Sequence, residues 1–384
     1  MRIGIDVTAA ITQGGGIGRY TRELVQALVA ADQENEYRFF SAKQPASLPV
    51  ANPLPAAPNA AYHPAPLGER WLYRLWHRLQ CPLPVQWITG PLDLFHSPDF
   101  VLPPVSGGTP TLLTVHDLSF VHYPQTFPPP LVAYLNQVVP RSIERASHLL
   151  ADSKATKRDL IDIWQIPATK ITVLYSGVSA AFRPITDGDM LAGVRLKYNL
   201  GQAPYLLSVG TIQPRKNYQM LIRAFQPVAA RWPHNLVIAG GKGWLYDDVL
   251  AEIERQGLHG RVHFIGFAED ADLPALYSGA TLFVFPSLYE GFGLPLLEAM
   301  ACGLPVITSN ASSLLEVAAR LPDGRQTAVP LSPQQPAAWT KAIGQLIADP
   351  ARRQHLAAAG FQQAQRFAWS QAARQLLEIY STLR

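Results

Sequence analysis

The sequence predicts an α/β protein with two domains, each built on a parallel β-sheet. Short apolar segments rich in β-branched and aromatic residues alternate with helical segments along the whole chain, which is the pattern of βαβ units. The chain has 384 residues, and this length is enough for two domains with cores of their own. We therefore expect two Rossmann-like domains that face a central cleft.

The first half supplies five strand-like segments, at residues 2–7, 37–40, 94–96, 111–115 and 148–151. Helical segments follow at residues 18–31, 129–146 and 154–164. ITVLYSGVSAAFRP, residues 171–184, then adds a strand and a turn-rich stretch. The first domain is accordingly predicted at residues 1–184.

The second half repeats the alternation. Its strand-like segments are YLLSVGT, NLVIAGG, VHFIGF, TLFVFP and PVITSN, and each leads into a helical stretch or a loop before one. We predict the second domain at residues 185–361. A final helix over about residues 362–384 is compatible with packing on either domain.

Composition excludes several classes of protein. Hydrophobic residues make up 48% and charged residues 16% of the chain, which is typical of a globular protein. Met1 leads directly into a strand without a signal-peptide pattern, and no apolar run is long enough to span a membrane, so we expect a cytoplasmic protein. The net charge of +4 suits anionic partners, but no basic run indicates nucleic-acid binding. The cysteines and histidines form no spaced metal site.

PSLYEGFGLPLLEAM, residues 286–300, reads as strand end, glycine loop and helix start. Gly291 and Gly293 give the backbone freedom to turn, and Pro295 suits the first turn of a helix. The unpaired N–H groups of such a helix start favour phosphate. Glu290 and Glu298 add two carboxylates, which accept hydrogen bonds from the hydroxyls of a sugar or a ribose. Either glutamate alone is readily a solvated surface residue; the pair in this setting favours a nucleotide-sugar site.

A basic pair, Arg215 and Lys216, lies between a strand and a helix in VGTIQPRKNYQMLIRAF. Arginine can clamp phosphate oxygens through two hydrogen bonds while lysine supplies a compact charge. Together they can stabilise a departing diphosphate. The alternative is a solvated helix start, although cations there oppose the helix macrodipole.

His116 ends an apolar strand in LLTVHDLSF, at the edge where open α/β sheets bind ligands. Asp117 beside it is expected to orient the imidazole or bind a hydroxyl. The alternative is that His116 is an ordinary core or edge histidine.

GGGIG, residues 14–18, follows the first strand and opens a helix as a dinucleotide-binding turn does. The second strand, YRFF, runs into SAK without an acidic residue for a ribose, which counts against NAD or FAD.

GGKGW, residues 240–244, is similar in composition to GGGIG but lacks the spacing of a nucleoside-triphosphate loop. Both glycine loops are equally compatible with simple tight turns and with a pair of functional loops that face a central cleft. DxD patterns at Asp187 and Asp189 and at Asp270 and Asp272 suggest a metal-dependent transferase, but the first lies in the predicted linker and the second is expected to cap a helix.

Six segments together carry a family resemblance: GGGIGRYTRELVQAL, TVHDLSF, ADSKATKRDL, VGTIQPRKN, the block at residues 265–310 and LLEV. In this order they resemble retaining glycosyltransferases of family four, which have the GT-B fold. The likeness covers about residues 1–320 closely. It implies a nucleotide-sugar donor held mainly by the second domain, an acceptor held mainly by the first, no required metal or cofactor, and a last helix that crosses back onto the first domain.

The resemblance also implies roles by position. Glu290 resembles the glutamate beside the donor sugar, Glu298 the one that holds ribose hydroxyls, and His116 the histidine near the reacting sugar. Arg215 and Lys216 fall in the diphosphate-binding segment, although Thr211 stands where several relatives have arginine. The remaining donor-binding positions are Gly15, Gly16, Gly291, Phe292, Gly293 and Leu294.

The expected activity is transfer of a hexose with retention at its anomeric carbon. VGTIQPRKN and FPSLYEGFGLPLLEAM are similar to segments of bacterial mannosyltransferases of exopolysaccharide or O-antigen synthesis. GDP-mannose is therefore the expected donor, and a polyprenyl-diphosphate-linked saccharide the expected acceptor. A UDP-sugar donor, a nucleotide-sugar epimerase and a non-catalytic nucleotide-sugar binding protein stay open as alternatives.

GERWLYRLWHRLQ, residues 68–80, predicts an amphipathic helix. Its apolar face carries Trp71, Leu72, Leu75, Trp76 and Leu79, and its basic residues are Arg70, Arg74, His77 and Arg78. Such a helix suits the surface of an anionic membrane. Packing against its own domain is an equal alternative, so peripheral contact with the inner face of the cell membrane is an expectation.

Overall fold

A computed structural model describes residues 1–44 and 54–384, and the chain forms two compact units. The first unit comprises Met1–Val121, Pro130–Gly177 and Ala368–Arg384, and the second comprises His122–Pro129 and Val178–Phe367. The division falls after Gly177, whereas the sequence placed it after Pro184. The intervening residues belong to the second unit because Phe182 packs edge-on against Tyr277.

The first unit contains a parallel seven-stranded sheet in the order β3-β2-β1-β4-β5-β6-β7. Its strands are β1 Arg2–Asp6, β2 Glu36–Ser41, β3 Ala60–Pro64, β4 Leu94–Ser97, β5 Thr111–Val115, β6 His148–Ala151 and β7 Ile171–Val173. Sequence reasoning missed β3 because it is an edge strand with exposed residues and therefore has no apolar alternation.

Helices flank this sheet. They are α1 Thr8–Thr12, α2 Gly16–Ala31, α3 Glu69–Tyr73, α4 Gln86–Thr89, α5 Ser119–His122, α6 Pro129–Arg145 and α7 Lys154–Trp164, with a π-helical turn at Arg74–Arg78 and 3₁₀ turns at Pro124–Thr126 and Ala168–Lys170. Helix α2 begins at Gly16, two residues before the predicted start. Gly18 is then inside the helix, where a Cβ atom would lie 2.0 Å from the carbonyl oxygen of Gln13.

The second unit contains a parallel six-stranded sheet in the order β10-β9-β8-β11-β12-β13. Its strands are β8 Tyr205–Val209, β9 Asn235–Ala239, β10 Val262–Gly266, β11 Leu282–Phe285, β12 Val306–Ser309 and β13 Val329–Leu331. Strand β13 has only three residues and was not predicted. The core beneath the sheet includes Leu221, Phe225, Val284 and Trp339, all completely buried.

The helices of this unit cover both faces of its sheet in the manner of βαβ units. They are α8 Gly188–Lys197, α9 Tyr218–Arg231, α10 Asp247–Gln256, α11 Leu273–Ser278, α12 Leu294–Ala301, α13 Leu314–Val317, α14 Pro336–Ala348 and α15 Pro350–Ala364, with a 3₁₀ turn at Pro214–Lys216.

The end of the chain is two helices, where the sequence predicted one. Helix α15 ends at Ala364, and α16 spans Trp369–Thr382. They separate because they pack on different units: the Gln363 amide donates to the carbonyl of Val317 in the second unit, whereas α16 packs against α2 in the first.

The DxD patterns have structural partners. Asp187 caps α8 by accepting hydrogen bonds from the backbone N–H groups of Asp189 and Met190. Asp272 stands at the start of α11, but the expectation that it caps this helix is wrong. Its carboxylate instead accepts hydrogen bonds from Tyr198 and Lys197, each at 2.6 Å.

No helix in the described part of the chain combines the length and hydropathy that crossing a bilayer requires.

Helix α16 is fixed to the first sheet by a buried polar contact. The Tyr380 hydroxyl lies 2.7 Å from Nδ1 of His96, and Nε2 of His96 lies 3.1 Å from the Thr114 hydroxyl. We predict that Tyr380→Phe lowers the free energy of unfolding by about 1–3 kcal/mol, because it leaves a buried ring nitrogen without its partner. Urea unfolding measures the change. The matched variant Tyr62→Phe, at a partly exposed hydroxyl, should cost less than half as much; equal losses would contradict the prediction.

Candidate active site

The second sheet brings the two predicted donor-binding motifs together. Strands β8 and β11 are parallel neighbours, and the strand order reverses between them. Open α/β sheets bind ligands at the carboxyl ends of the strands at such a reversal. The loop after β8 carries Arg215 and Lys216, and the loop after β11 carries Glu290, 74 residues beyond Lys216. Residues distant in sequence therefore meet where this fold class places its ligands.

Arg215, Lys216 and Glu290 form an ionic cluster in which Lys216 and Glu290 are buried and Arg215 is largely buried. The Lys216 ammonium lies 2.6 Å from one carboxylate oxygen of Glu290, and the Arg215 guanidinium lies 3.1 Å from the other. Arg215 also donates a hydrogen bond to the carbonyl of Tyr289, and its own carbonyl accepts one from the N–H of Leu288 at 2.9 Å. The basic pair and the loop after β11 are thus held to each other by side chains and backbone.

The cluster carries surplus positive charge. Burial raises the pKa of Glu290, but the charges of Lys216 and Arg215 outweigh that effect and bring the pKa down to about 2. The carboxylate is therefore ionised near neutral pH. Two cationic side chains share this one carboxylate, and the excess of cations over carboxylates among these three residues suits an anion. In this arrangement Glu290 positions the basic pair with both of its oxygens.

The loop from Glu290 to Gly293 is held by two serines. Ser312 accepts a hydrogen bond from the N–H of Glu290 and donates one to its carbonyl, both at 2.8 Å. The Ser313 hydroxyl lies 2.8 Å from the carbonyl oxygen of Glu290 and 3.0 Å from that of Phe292. Sequence reasoning missed both serines, although SNASSLLEV places them just before an apolar helix.

Gly293 has a conformational role. Its φ is +103°, in the left-handed region, and a Cβ atom would lie 2.7 Å from a methyl group of Leu314. Glycine is therefore required to turn the chain into α12, which begins at Leu294. In the first turn of α12, Pro295 has no N–H, and the N–H groups of Leu296 and Leu297 donate to the carbonyl of Gly293 at 3.0 and 3.2 Å. The N–H of Leu294 and the glycine loop before it stand at the helix start, a place that suits phosphate.

Glu298 lies one turn into α12 and is buried. Its carboxylate accepts a hydrogen bond of 2.8 Å from the Tyr277 hydroxyl. The carboxylates of Glu290 and Glu298 thus have separate partners, a basic pair and a tyrosine. That both face one bound ligand stays a prediction.

The GGKGW loop packs against the loop that precedes the basic pair. A Cβ atom on Gly240 would lie 2.0 Å from the Gly210 carbonyl oxygen. The N–H of Ile212 donates to the carbonyl of Gly241 at 2.9 Å, and the N–H of Gly243 donates back to Ile212 at 3.1 Å. Gly240 and Gly243 therefore permit close approach of the two loops, since a Cβ atom on Gly243 would lie 2.9 Å from the Ile212 carbonyl oxygen.

In the first unit the strand order reverses between β1 and β4, and carboxylates gather there. Asp6 ends β1 and Asp99 follows β4. Burial raises the pKa of Asp6 to about 6, and the charges of Asp99 and Glu69 act in the same direction. Burial likewise raises the pKa values of Asp99 and Glu69. Sequence reasoning missed this group because its members are far apart in the chain; its signal was an acid at or just after two strand ends.

His116 follows β5 and contacts two acceptors. Its Nδ1 lies 2.7 Å from a carboxylate oxygen of Asp152, and its Nε2 lies 3.0 Å from the carbonyl oxygen of Pro98. Because an ionised carboxylate and a carbonyl only accept, both contacts are satisfied when the imidazole carries two protons. Burial lowers the pKa of His116, but Asp152 and Asp99 overcome it and raise the pKa to about 9.

Asp152 is thus the residue that orients His116, and the expectation for Asp117 is wrong on this point. Asp117 accepts hydrogen bonds from the N–H and hydroxyl of Ser119, at 2.8 and 2.6 Å, because it begins the turn into α5. The missed signal was the position of Asp152 directly after the neighbouring strand β6.

Aromatic rings pack against His116, and a glycine turn precedes α2. Tyr20 meets its ring edge-on at 4.9 Å and Phe100 at 5.5 Å between centroids. A Cβ atom on Gly15 or Gly16, at the start of α2, would meet no described atom within 4 Å. The protein's own packing therefore does not require glycine at these two positions.

Comparison with known proteins decides the family. Residues 14–182 match the family described as Glycosyltransferase Family 4, and residues 196–363 match the one described as Glycosyl transferases group 1. The O-antigen chain mannosyltransferase B of Escherichia coli is 32% identical over 385 residues, which cover 96% of each chain. The chain belongs to glycosyltransferase family 4. This glycosyltransferase is also 30% identical to the D-inositol 3-phosphate glycosyltransferase of Salinispora tropica, over 95% of this chain and 80% of the relative.

Solved structures show the same fold. The sucrose-phosphate synthase of Thermosynechococcus elongatus superposes with a TM-score of 0.78 at 23% identity, covering 100% of this chain and 99% of that one. WaaG, a glycosyltransferase involved in lipopolysaccharide biosynthesis, gives 0.71 at 16% identity, with 98% and 99% covered. The predicted α/β class and GT-B fold are confirmed, and the protein is a hexosyltransferase.

The ion pair of His116 predicts a pH dependence of stability. The pKa of His116 is raised from 6.5 to about 9 in the folded protein, so the pair stabilises fully below about pH 6.5 and loses its contribution as the pH rises through about 9. The difference in free energy of unfolding between the wild type and His116→Gln should therefore shrink from pH 6.5 to pH 9.5 in urea titrations. Asp117→Asn, at a carboxylate that contacts Ser119, should show a difference that is flat over this range. A flat difference for His116→Gln as well would contradict the two-proton state.

Proposed function

We propose that this glycosyltransferase moves mannose from GDP-mannose to a lipid-linked saccharide, with retention at the anomeric carbon, in O-antigen or exopolysaccharide synthesis. The observation that carries the proposal is the buried cluster of Arg215, Lys216 and Glu290 at the strand-order reversal of the second sheet. The mannosyltransferase relatives support the choice of sugar.

The donor diphosphate is proposed to lie against the surplus charge of this cluster. Arg215 and Lys216 provide charge-assisted hydrogen bonds, and the backbone N–H groups of Gly291, Phe292, Gly293 and Leu294 provide the oriented dipoles of a loop and a helix start. Glu298 accepts the ribose hydroxyls. Because Glu290 already fixes both cations, little reorganisation is needed when charge develops on the leaving diphosphate.

Transfer then proceeds without a protein nucleophile. The bond between the anomeric carbon and the diphosphate oxygen breaks, an acceptor hydroxyl forms its bond to that carbon on the same face, and a diphosphate oxygen takes the hydroxyl proton. His116 with both ring nitrogens protonated cannot serve as the general base, which agrees with a proton taken by the leaving group. No metal or cofactor has a step in this proposal.

The acceptor saccharide is assigned to the first unit. Asp6 and Asp99 supply carboxylate oxygens at the carboxyl ends of its central strands, and Glu69, at the start of α3, adds a third carboxylate. Carboxylates suit the hydroxyls of a sugar and repel a diphosphate. The acidic group of the first unit thus suits hydroxyls, whereas the basic cluster of the second unit suits phosphate.

Membrane contact is assigned to the segment from α3 through the π-helical turn. Leu72 is buried, and Trp76 packs against Phe40 at 5.8 Å, so part of the predicted apolar face serves the domain itself. Trp71 and Leu79 are 58% and 70% exposed. They lie among the exposed arginines of this segment, one of which, Arg74, stands 5.0 Å from the Trp71 ring. An exposed apolar and basic surface of this kind favours an anionic membrane.

The donor assignment predicts nucleotide-specific thermal stabilisation. A ligand at 100 times its dissociation constant adds about 2.7 kcal/mol to stability. We expect GDP and GDP-mannose to raise the melting temperature of the wild type but not that of Glu298→Ala, which has lost the ribose partner. Glu254→Ala, which changes an exposed glutamate of the same unit, should respond as the wild type does.

Glu290→Gln should still bind GDP but lose about 100-fold or more in turnover, because the basic pair is no longer fixed.

Other outcomes discriminate among the alternatives. Stabilisation by UDP-sugars and not by GDP-mannose would show that the donor is a UDP-sugar. Conversion of the sugar nucleotide without an acceptor would indicate an epimerase, and binding without turnover would indicate a binding protein. If no nucleoside diphosphate stabilises the wild type, the proposal fails.

The membrane assignment predicts flotation with anionic liposomes. Replacing both exposed apolar residues, Trp71→Ser with Leu79→Ser, should abolish flotation because the inserted area is lost. The exposed Trp87, 75% exposed and outside the segment, gives the control Trp87→Ser, which should float as the wild type does. Unchanged flotation of the double variant would remove this role from the segment.

A further inference from the structure

A short segment from the first half of the chain belongs to the second unit. Residues His122–Pro129 pack with the second unit, although the residues on either side, Met1–Val121 and Pro130–Gly177, form the first. We call these eight residues the strap. Its contacts fall on two loops: the loop after β11, which carries Glu290, and the GGKGW loop, which is hydrogen-bonded to Ile212 before the basic pair.

One end of the strap contacts the loop after β11. The ring of His122 stacks on Tyr289 at 5.1 Å between centroids with an interplanar angle of 26°, and the ring of Tyr123 lies 6.2 Å from Tyr289. Tyr289 immediately precedes Glu290, and its carbonyl accepts the hydrogen bond from Arg215. A shift of Tyr289 would therefore move the carboxylate that fixes both cations.

The other end contacts the GGKGW loop. The indole N–H of Trp244 donates a hydrogen bond of 2.7 Å to the carbonyl of Thr126, and the Trp244 and Phe127 rings lie 5.6 Å apart. The loop that ends in Trp244 is hydrogen-bonded through Gly241 and Gly243 to Ile212. Ile212 lies three residues before Arg215, so this end of the strap restrains the segment that leads to the basic pair.

The sequence of the strap makes it stiff. Pro124 opens a 3₁₀ turn at Pro124–Thr126, and Pro128 and Pro129 follow Phe127. Each proline fixes its own φ and restricts the residue before it. Thr126 and Phe127 are buried, at 4% and 8% exposure. The strap therefore connects its two loops as a braced element.

We propose that the strap is a positioning element of the donor site, which sets the spacing between the loop that carries Glu290 and the loop that leads to Arg215 and Lys216. The proposal rests on the function proposed above in that the cluster receives the donor diphosphate. Strap residues act through Tyr289 and Trp244. Loosening either end lets the cluster reorganise, which weakens donor binding and misorients the bound donor.

The test compares two tryptophan substitutions in the same unit. Trp244→Phe removes the indole N–H and keeps an aromatic ring beside Phe127; Trp232→Phe makes the same exchange at the end of α9, where Trp232 packs on the core of the unit. Trp244→Phe should raise the KM for the donor about tenfold, the effect of one lost hydrogen bond in a positioned site, and lower kcat. Phe127→Ala should act in the same direction. Trp232→Phe should leave KM unchanged.

A second readout does not depend on donor chemistry. Amide hydrogen exchange of the ligand-free protein should speed up at residues 288–293 and 240–244 in Trp244→Phe and Phe127→Ala, and stay unchanged there in Trp232→Phe. Unchanged exchange in both Trp244→Phe and Phe127→Ala, or a donor KM within twofold of the wild type in Trp244→Phe, overturns the proposal. If exchange speeds up as expected but no nucleoside diphosphate binds the wild type, the strap positions these loops and the proposed function is what fails.

Discussion

The pairing of β8 with β11 is the constraint on which the polar chemistry of the second unit depends. Only because these parallel neighbours stand at the reversal of strand order do the loops after them meet, and only then can Lys216 and Arg215 share the carboxylate of Glu290. Burying three ions costs several kcal/mol for each ion unless the geometry compensates. The serines behind Glu290, the interlocked glycine loops and the strap all restrict that geometry. Removal of the Glu290 charge would leave two cations at this place without a balancing carboxylate.

The two units carry opposite electrostatics at equivalent places. At its reversal the second sheet gathers two cations around one carboxylate, whereas the first gathers Asp6, Asp99 and Glu69. The basic group suits phosphate, and the acidic group suits the hydroxyls of a saccharide. His116 fits the same account, since its two protons face Asp152 and Pro98 and it acts as a fixed cation beside acidic neighbours.

Local signals were enough to predict the strands of both sheets apart from β3 and β13, as well as the glycine loop before α12 and the basic pair. Each of these has an apolar pattern or a turn residue within a few positions. The features that were not predicted depend on contacts between segments that are distant in the sequence. Asp152 looks like an ordinary helix-start acid until β6 is placed beside β5, and Asp6 and Asp99 become neighbours only through the order of the strands. The role of Trp244 requires Thr126, 118 residues away. Strand β3 was not predicted because it lacks a local signal: an exposed edge strand needs no apolar alternation.

Helix α16 has a consequence for how the protein is made. It packs against α2, and its Trp369 lies 5.7 Å from the ring of Tyr20 on that helix, yet the ribosome adds it after the whole of the second unit. The nascent first unit therefore lacks α16, and an apolar face of α2 stays uncovered, while about half of the chain is still being translated. Domains made early ordinarily fold early; here the domain begun first is the one completed last, and the second unit reaches its full set of residues before it.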